Sequence, residues 1–180
     1  LLASKQDAAE VAGRFYAHIS SAPHTSPLAQ AQVLEAVHLH SAKVHPDRAH
    51  TIDSQDISEC EVFAAIQRSP PGRSPGPDGL PLELYKKLKK FFAPCLAALF
   101  SAMGTLGRSP LGFSEGCIIT LPKPGDSTQP GNYRPITLLN SDYSLLSRVL
   151  TARLSTVLPE CIHSSQHAFL RKRFIGDAIH

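Results

Sequence analysis

The sequence predicts an α+β fold, mostly helical with a small antiparallel sheet, on three observations. Apolar residues recur at three- and four-residue spacing in several separate stretches, the period of one helix face. Two short runs, Cys117–Leu121 and Tyr133–Leu139, are instead apolar and β-branched, as strands are. Clusters of proline, glycine and small polar residues separate these segments and mark their ends.

Val11, Phe15 and Ile19 stand four apart, and Leu28, Val33, Leu34 and Val37 form a second, looser stripe. Two helices are expected there, joined by a Ser20–Pro27 loop. His38 to His50 is polar and histidine-rich and reads as a linker. Ser58 followed by Glu61 forms a capping box, in which hydroxyl and carboxylate each satisfy the other residue's amide. Val62, Ala65 and Ile66 give the helix behind it one apolar stripe. It must end near Arg68, because residues 69–79 hold four prolines and three glycines.

Pro81 suits the first turn of a helix running to Lys90, with Leu84 and Leu88 inward and Lys86, Lys87, Lys89 and Lys90 as a basic flank. Leu96, Leu99, Phe100 and Met103 mark a further helix, closed by Gly104 or Gly107, with Pro94 separating the two or starting the second. The two strands make a hairpin with a long polar tip. Ser141 opens a helix whose Leu146, Val149, Leu150, Leu154 and Val157 keep the helical period until Pro159, with Arg148 and Arg153 on its more exposed side.

A chain of 180 residues has room for one domain or for part of a larger one, and 42% hydrophobic with 18% charged residues excludes a disordered or fibrous protein. No apolar run is long enough to span a bilayer, and the first residues lack the basic flank and apolar core of a secretory signal. An intracellular protein is expected, with no membrane partner. A start at Leu1 suggests a piece of a longer product. Cys60, Cys95, Cys117 and Cys161 are scattered, as free thiols in a reducing compartment would be.

Charge is divided along the chain. Residues 1–67 hold 4 Lys/Arg against 8 Asp/Glu, and residues 68–180 hold 14 against 7, so the net charges are −4 and +7. The second part is the candidate for a polyanion surface. No Gly-x-Ser-x-Gly, Walker-type loop or His-Glu-x-x-His occurs, so hydrolase and nucleoside-triphosphatase readings lack a site. His38 and His40 share a strand-like face, followed by His45 and His50, but no carboxylate or cysteine stands at a metal-ligand offset.

Three segments can carry chemistry, and each has a plainer reading. Lys123 leaves the first strand where Arg134 enters the second, which puts both cations at one end of the hairpin. They form either a clamp for a triphosphate, with Lys as point charge and Arg as planar fork, or two solvated loop residues. Residues 74–79 form a tight turn in which Asp78 caps the helix starting at Pro81, and glycines there also let backbone amides approach a phosphodiester. Gln166 to Arg173 combines an amide, the Phe169 ring and the cations Arg171, Lys172 and Arg173. Those groups suit a base, a sugar and phosphates, or else amount to a surface charge run beside one core phenylalanine.

Taken together and in order, these strings resemble the first motifs of LINE-type (non-LTR) retrotransposon reverse transcriptases. They are Ser-Pro-Gly-Pro-Asp-Gly-Leu-Pro at 74–81, Glu83-Leu-Tyr-Lys86, Ile118-Ile-Thr-Leu-Pro-Lys-Pro-Gly125, Asn132-Tyr-Arg-Pro-Ile-Thr-Leu-Leu-Asn140, Asp142-Tyr143, Arg153-Leu154 and Gln166-x-x-Phe169. The resemblance implies the fingers and the start of the palm of a right-hand polymerase over residues 58–180, preceded by a connector over 1–57. It implies that Lys123 and Arg134 grip the incoming deoxynucleoside triphosphate. Gly76, Asp78 and Gly79 match a motif associated with template handling, and Gln166, Phe169 and Arg173 a block lying against the template. Tyr133, Pro135 and Ile136 shape the hairpin.

The partners implied are an RNA template, a DNA primer, the remainder of the polymerase and an upstream endonuclease domain. The compartments implied are cytoplasm and nucleus, as a ribonucleoprotein. The cofactor implied is Mg2+ on palm aspartates, which the family's spacing places beyond His180; Asp177 falls too early, and no adjacent Asp-Asp pair occurs. Ser144 stands where the family usually has Lys, and Ala168 where it usually has Gly. These departures fit an alternative, a non-catalytic nucleic-acid-binding remnant or domesticated fragment.

Overall fold

A computed structural model describes residues 5–21, 26–40, 44, 49, 52, 56–162, 166, 170, 173, 174 and 176. Its helices are α1 (Lys5–Ile19), α2 (Pro27–His40), α3 (Glu59–Arg68), α4 (Leu82–Lys87), α5 (Lys89–Leu106), α6 (Ser141–Leu154) and α7 (Leu158–Cys161). Strands β1 (Gly116–Pro122) and β2 (Tyr133–Leu139) form a two-stranded antiparallel sheet. The expected α+β class, mostly helical, is the one observed. Residues group into two compact units, one of 1–40 with 118–136 and one of 41–117 with 137–180.

The larger unit takes its core from helix faces that the periodicity marks only in part: on α6 Leu145 and Val149 are buried, whereas Leu150 and Leu154, expected inward, are exposed. Val62 and Ile66 of α3, Ala93, Leu96 and Phe100 of α5, and Leu145 and Val149 of α6 are buried together. Phe113 lies between Phe100 and Tyr143, its ring centroid 6.3 and 5.6 Å from theirs, within the range of favourable edge and tilted contacts. The capping box forms as expected: Ser58 Oγ accepts from the Glu61 amide at 3.3 Å, and the Ser58 amide donates to Glu61 Oε2 at 2.9 Å. Gly107, at φ 62°, closes α5 in the left-handed conformation that glycine adopts without a Cβ penalty.

Several boundaries move. The break after α4 comes at Leu88, not Pro94: Leu88 N–H closes α4 on Leu84 O at 3.0 Å, while Leu88 O accepts from Phe91 and Phe92 at 2.9 and 3.0 Å. Pro94 lies inside α5 on an exposed face, where water can satisfy the carbonyl that loses its amide partner. Leu82 and Tyr85, rather than Leu84 and Leu88, are the buried pair of α4, and Leu88 is exposed. Ser141 Oγ donates to Leu80 O at 2.8 Å, a tether that fixes how the chain enters α4. The last long helix ends at Leu154, and Pro159 sits in the first turn of the separate α7. His38 and His40 belong to α2, so their strand-like face does not exist; His45 and His50 lie outside the described residues.

The smaller unit holds α1, α2 and the outer part of the hairpin. Tyr16 Oη donates to Tyr133 O at 3.1 Å. The Phe15 ring lies 3.7 Å from where a Cβ on Gly131 would stand, so α1 is seated on the 3-10 turn Pro130–Asn132. Leu28, Val33, Leu34 and Val37 of α2 are all exposed. Among the described residues no helix is long and apolar enough to cross a membrane. Cys60, Cys95 and Cys117 are exposed free thiols, and Cys161 is a half-buried one.

Candidate functional site

The hairpin tip is held by its own side chains. Lys123 N donates to Asn132 O at 2.7 Å, which opposes those two residues where the strands close. Carried down the ladder, that register sets Arg134 opposite Leu121 and places it on the same face as Lys123. They are then diagonal neighbours, a relation that normally separates Cβ atoms by about 7–8 Å. Pro135 falls in the same register at a position whose nitrogen points away from the partner strand, so no ladder bond is lost. The expected meeting of Lys123 and Arg134 at one end of the hairpin is therefore present.

Between them the loop is tied down. Asp126 Oδ1 accepts from Thr128 N at 2.8 Å and from Thr128 Oγ1 at 2.7 Å, and these bonds hold its carboxyl below the usual range. Asn132 Nδ2 donates to Asp126 O at 2.8 Å and Tyr133 Oη to Ser127 O at 3.0 Å. Lys123 Nζ donates to Gly131 O at 3.0 Å, whereas the exposed Arg134 has no hydrogen-bond or ion-pair partner among the described residues. The loop thus presents two cations, one parked on a neutral carbonyl and one open to solvent.

The turn at 76–79 lies in the other unit. Gly79 N donates to Gly76 O at 3.1 Å, and Gly79 has φ 71° with open space where a Cβ would go. Asp78 Oδ1 accepts from Leu80 N at 3.0 Å; Pro81, the N-cap of α4, has no side-chain cap bond. Asp78 therefore shapes the turn instead of capping the helix, because its carboxylate is already engaged two residues on. Gly76 is glycine for a different reason: a Cβ there would stand 2.3 Å from Asn140 Oδ1 and 2.4 Å from Asn140 N.

Asn140 is the residue that sequence reasoning passed over. Buried, it accepts from Asp78 N at 3.3 Å and donates to Gly112 O at 3.2 Å, joining three separate loops. An Asn immediately before a helix start was the available signal, read only as part of a string. Next to it, burial pushes the Asp142 carboxyl above its ordinary value, with the Asp78 carboxylate adding to the rise. Burial, reinforced by the same two aspartates, pushes the Tyr85 hydroxyl up to about 12. Asp78, Glu115 and Asp142 line a cavity of about 450 Å³. Among the described residues, no group of three or more His, Cys, Asp or Glu is arranged to hold a metal ion.

Arg153 corrects a second expectation. Its side chain is only 9% exposed, not on the outer side of α6. It donates to Glu61 through Nε at 2.6 Å and Nη2 at 2.9 Å, and to Asp56 O at 2.6 Å. The capping glutamate supplies the acceptor that lets a guanidinium be buried. Further along, Arg173 donates to Gln166 O at 2.8 Å and Ile162 O at 3.1 Å, organising the segment on which the exposed Gln166 lies. Phe169 lies outside the described residues.

No family model matches the chain. A 149 kDa protein of transposon TX1 from Xenopus laevis is 31% identical over 119 residues, 66% of this chain and 9% of its own length. A putative 115 kDa protein of the type-1 retrotransposable element R1DM from Drosophila melanogaster is 32% identical over 120 residues, 66% of this chain and 12% of its own. A probable RNA-directed DNA polymerase from transposon X-element of the same fly is 28% identical over 111 residues, 61% and 12%. These relatives define the class as proteins encoded by transposable elements. Over about two thirds of its length the chain is thus similar to proteins of non-LTR retrotransposons, RNA-directed DNA polymerases among them, and it spans about a tenth of the length of the relatives just described.

Proposed function

We propose that this chain is the fingers-side part of an RNA-directed DNA polymerase, with residues 1–57 as the connector before it, and that its hairpin tip grips the incoming deoxynucleoside triphosphate. The observation that carries the proposal is the placement of Lys123 and Arg134 on one face of a tied loop, with Arg134 unpartnered among the described residues. A triphosphate is a multiply charged, multidentate acceptor. Arg134 offers it a planar fork of donors and Lys123 a compact charge that exchanges a neutral carbonyl for an anionic oxygen. Because the loop is already ordered, little conformational freedom is lost when the anion docks.

On the same reading the RNA template runs along Gly76, Asp78 and Gly79 and along Gln166, Phe169 and Arg173. The open, positive-φ Gly79 allows close backbone approach there. Arg173 acts as a positioning residue, because its guanidinium already holds two carbonyls of the segment. The DNA primer, the Mg2+ ions and the carboxylates that bind them are supplied by the remainder of the polymerase. That protein works beside an endonuclease domain, in a ribonucleoprotein of the cytoplasm and nucleus.

The test is steady-state polymerisation by the full-length product. Lys123→Ala and Arg134→Ala should each raise the KM for deoxynucleotides about tenfold, the loss expected for one charge-assisted contact, while primer–template affinity is unchanged. Normal nucleotide kinetics in both variants would remove the hairpin from nucleotide binding.

A further inference from the structure

A groove of about 680 Å³ runs between α3 and α6 in the larger unit, and none of the described residues assigned above to nucleotide or template lines it. Its volume falls in the range of built ligand sites, about 300–1,000 Å³. Arg68 stands at the end of α3 and Arg148 on α6, and neither has a hydrogen-bond or ion-pair partner among the described residues. The one carboxylate among the described residues of the wall, Glu61, is neutralised by Arg153. The groove therefore carries two uncompensated positive charges. Between them the walls are small and apolar, with Ala64 and Ala152 facing the space and Leu170 at one edge. In sequence, Leu170 is followed directly by Arg171-Lys172-Arg173.

We infer that this groove binds the backbone of a single-stranded RNA, as a contact additional to the hairpin and the 76–79 turn. The inference rests on the nucleic-acid reading of the preceding subsection. Repeating anions separated by flat, partly apolar sugars and bases match two spaced guanidiniums with apolar wall between them. An acidic peptide matches the charges alone. Among the described residues no aromatic ring lines the groove, and contacts of guanidinium to phosphate carry no sequence information, so binding through them is independent of sequence.

The test measures binding of a labelled 20-nucleotide RNA by the 180-residue chain across a salt series. The double variant R68Q/R148Q should bind about tenfold more weakly at moderate salt. Its log–log salt slope should be shallower by about 1.4, two contacts at about 0.7 each for a single strand. K87Q/K90Q, which removes the same charge from exposed positions, should move the slope less. A photo-crosslinking residue at Ser155, in the groove wall, should capture RNA in the otherwise unaltered chain and fail to do so in the double variant. Equal melting temperatures establish that the variants are folded.

Wild-type affinity and slope in R68Q/R148Q would overturn the inference, as would an absent crosslink from position 155. Competition by polyglutamate as effective as that by RNA would assign the groove to a peptide instead. No RNA binding by the chain at all, with the nucleotide KM effects of Lys123 and Arg134 still observed in the full-length product, would remove the groove and leave the polymerase reading standing.

Discussion

At the scale of single residues, the two glycines of the 76–79 turn are each favoured as glycine by unlike forces, and substitution separates them. Gly79 needs only a left-handed backbone with open space around it. Gly79→Ala should cost about 1–2 kcal/mol, and Gly79→Asn much less, because Asn tolerates that region. Gly76 meets the Asn140 backbone and amide at under 2.5 Å from any added Cβ. Both Gly76→Ala and Gly76→Asn should therefore lose about 3 kcal/mol or more by overpacking. Urea midpoints measure all four, and a Gly76→Asn protein as stable as Gly79→Asn would contradict the packing account. The sequence identified this segment as a turn because proline and glycine act locally. It was silent on which glycine faces residue 140, a contact 64 positions away along the chain.

Between elements, the bond joining α3 to α6 gives acid denaturation a specific term. The Arg153 guanidinium, helped by Ser58, holds the Glu61 carboxyl down to about 2 from an ordinary 4.5. A folded value below the unfolded one means stability that is fully present above pH 4.5 and is lost as pH falls toward 2. Since Glu61 is 33% exposed, solvent screening reduces the contribution to about 1–2 kcal/mol. Asp142 acts in the opposite sense: its raised carboxyl favours the fold below its ordinary value and weakens it above. Comparing Glu61→Gln with the parent isolates the first effect. The variant's stability curve should lie below the parent's at neutral pH and converge with it in acid. Parallel curves would show that the pair contributes nothing. The capping box itself was legible, being a four-residue pattern, but its second use by Arg153 was not, because helical periodicity registers apolar partners and gives a buried arginine no credit for a distant carboxylate.

For the molecule as a whole, the hairpin ribbon is an apolar surface left uncovered among the described residues. Both strands of a two-stranded sheet are edges, and Ile118, Ile119, Leu121 and Ile136 are all exposed on this one. Such an edge pairs readily with another copy. Light scattering should detect concentration-dependent association of the isolated chain, and Ile119→Lys should suppress it; an aggregation rate untouched by that change would place the sticky surface elsewhere. The strands, the hairpin and the shared end of Lys123 and Arg134 could all be read from β-branched apolar runs and turn chemistry. The low burial of the strands could not, since β-branched apolar residues promise a covered face whether or not the chain supplies the cover.

The bond from Lys123 to the Gly131 carbonyl has a kinetic side. An ammonium resting on a neutral oxygen keeps its full charge while being held in place, so an arriving anion meets a donor that needs no search. The exchange also has a recoil: once the anion takes Nζ, the Gly131 carbonyl is released and one tie of the 123–132 loop goes with it. Amide exchange in that loop would then speed up on nucleotide binding, opposite to the protection that a simple contact confers.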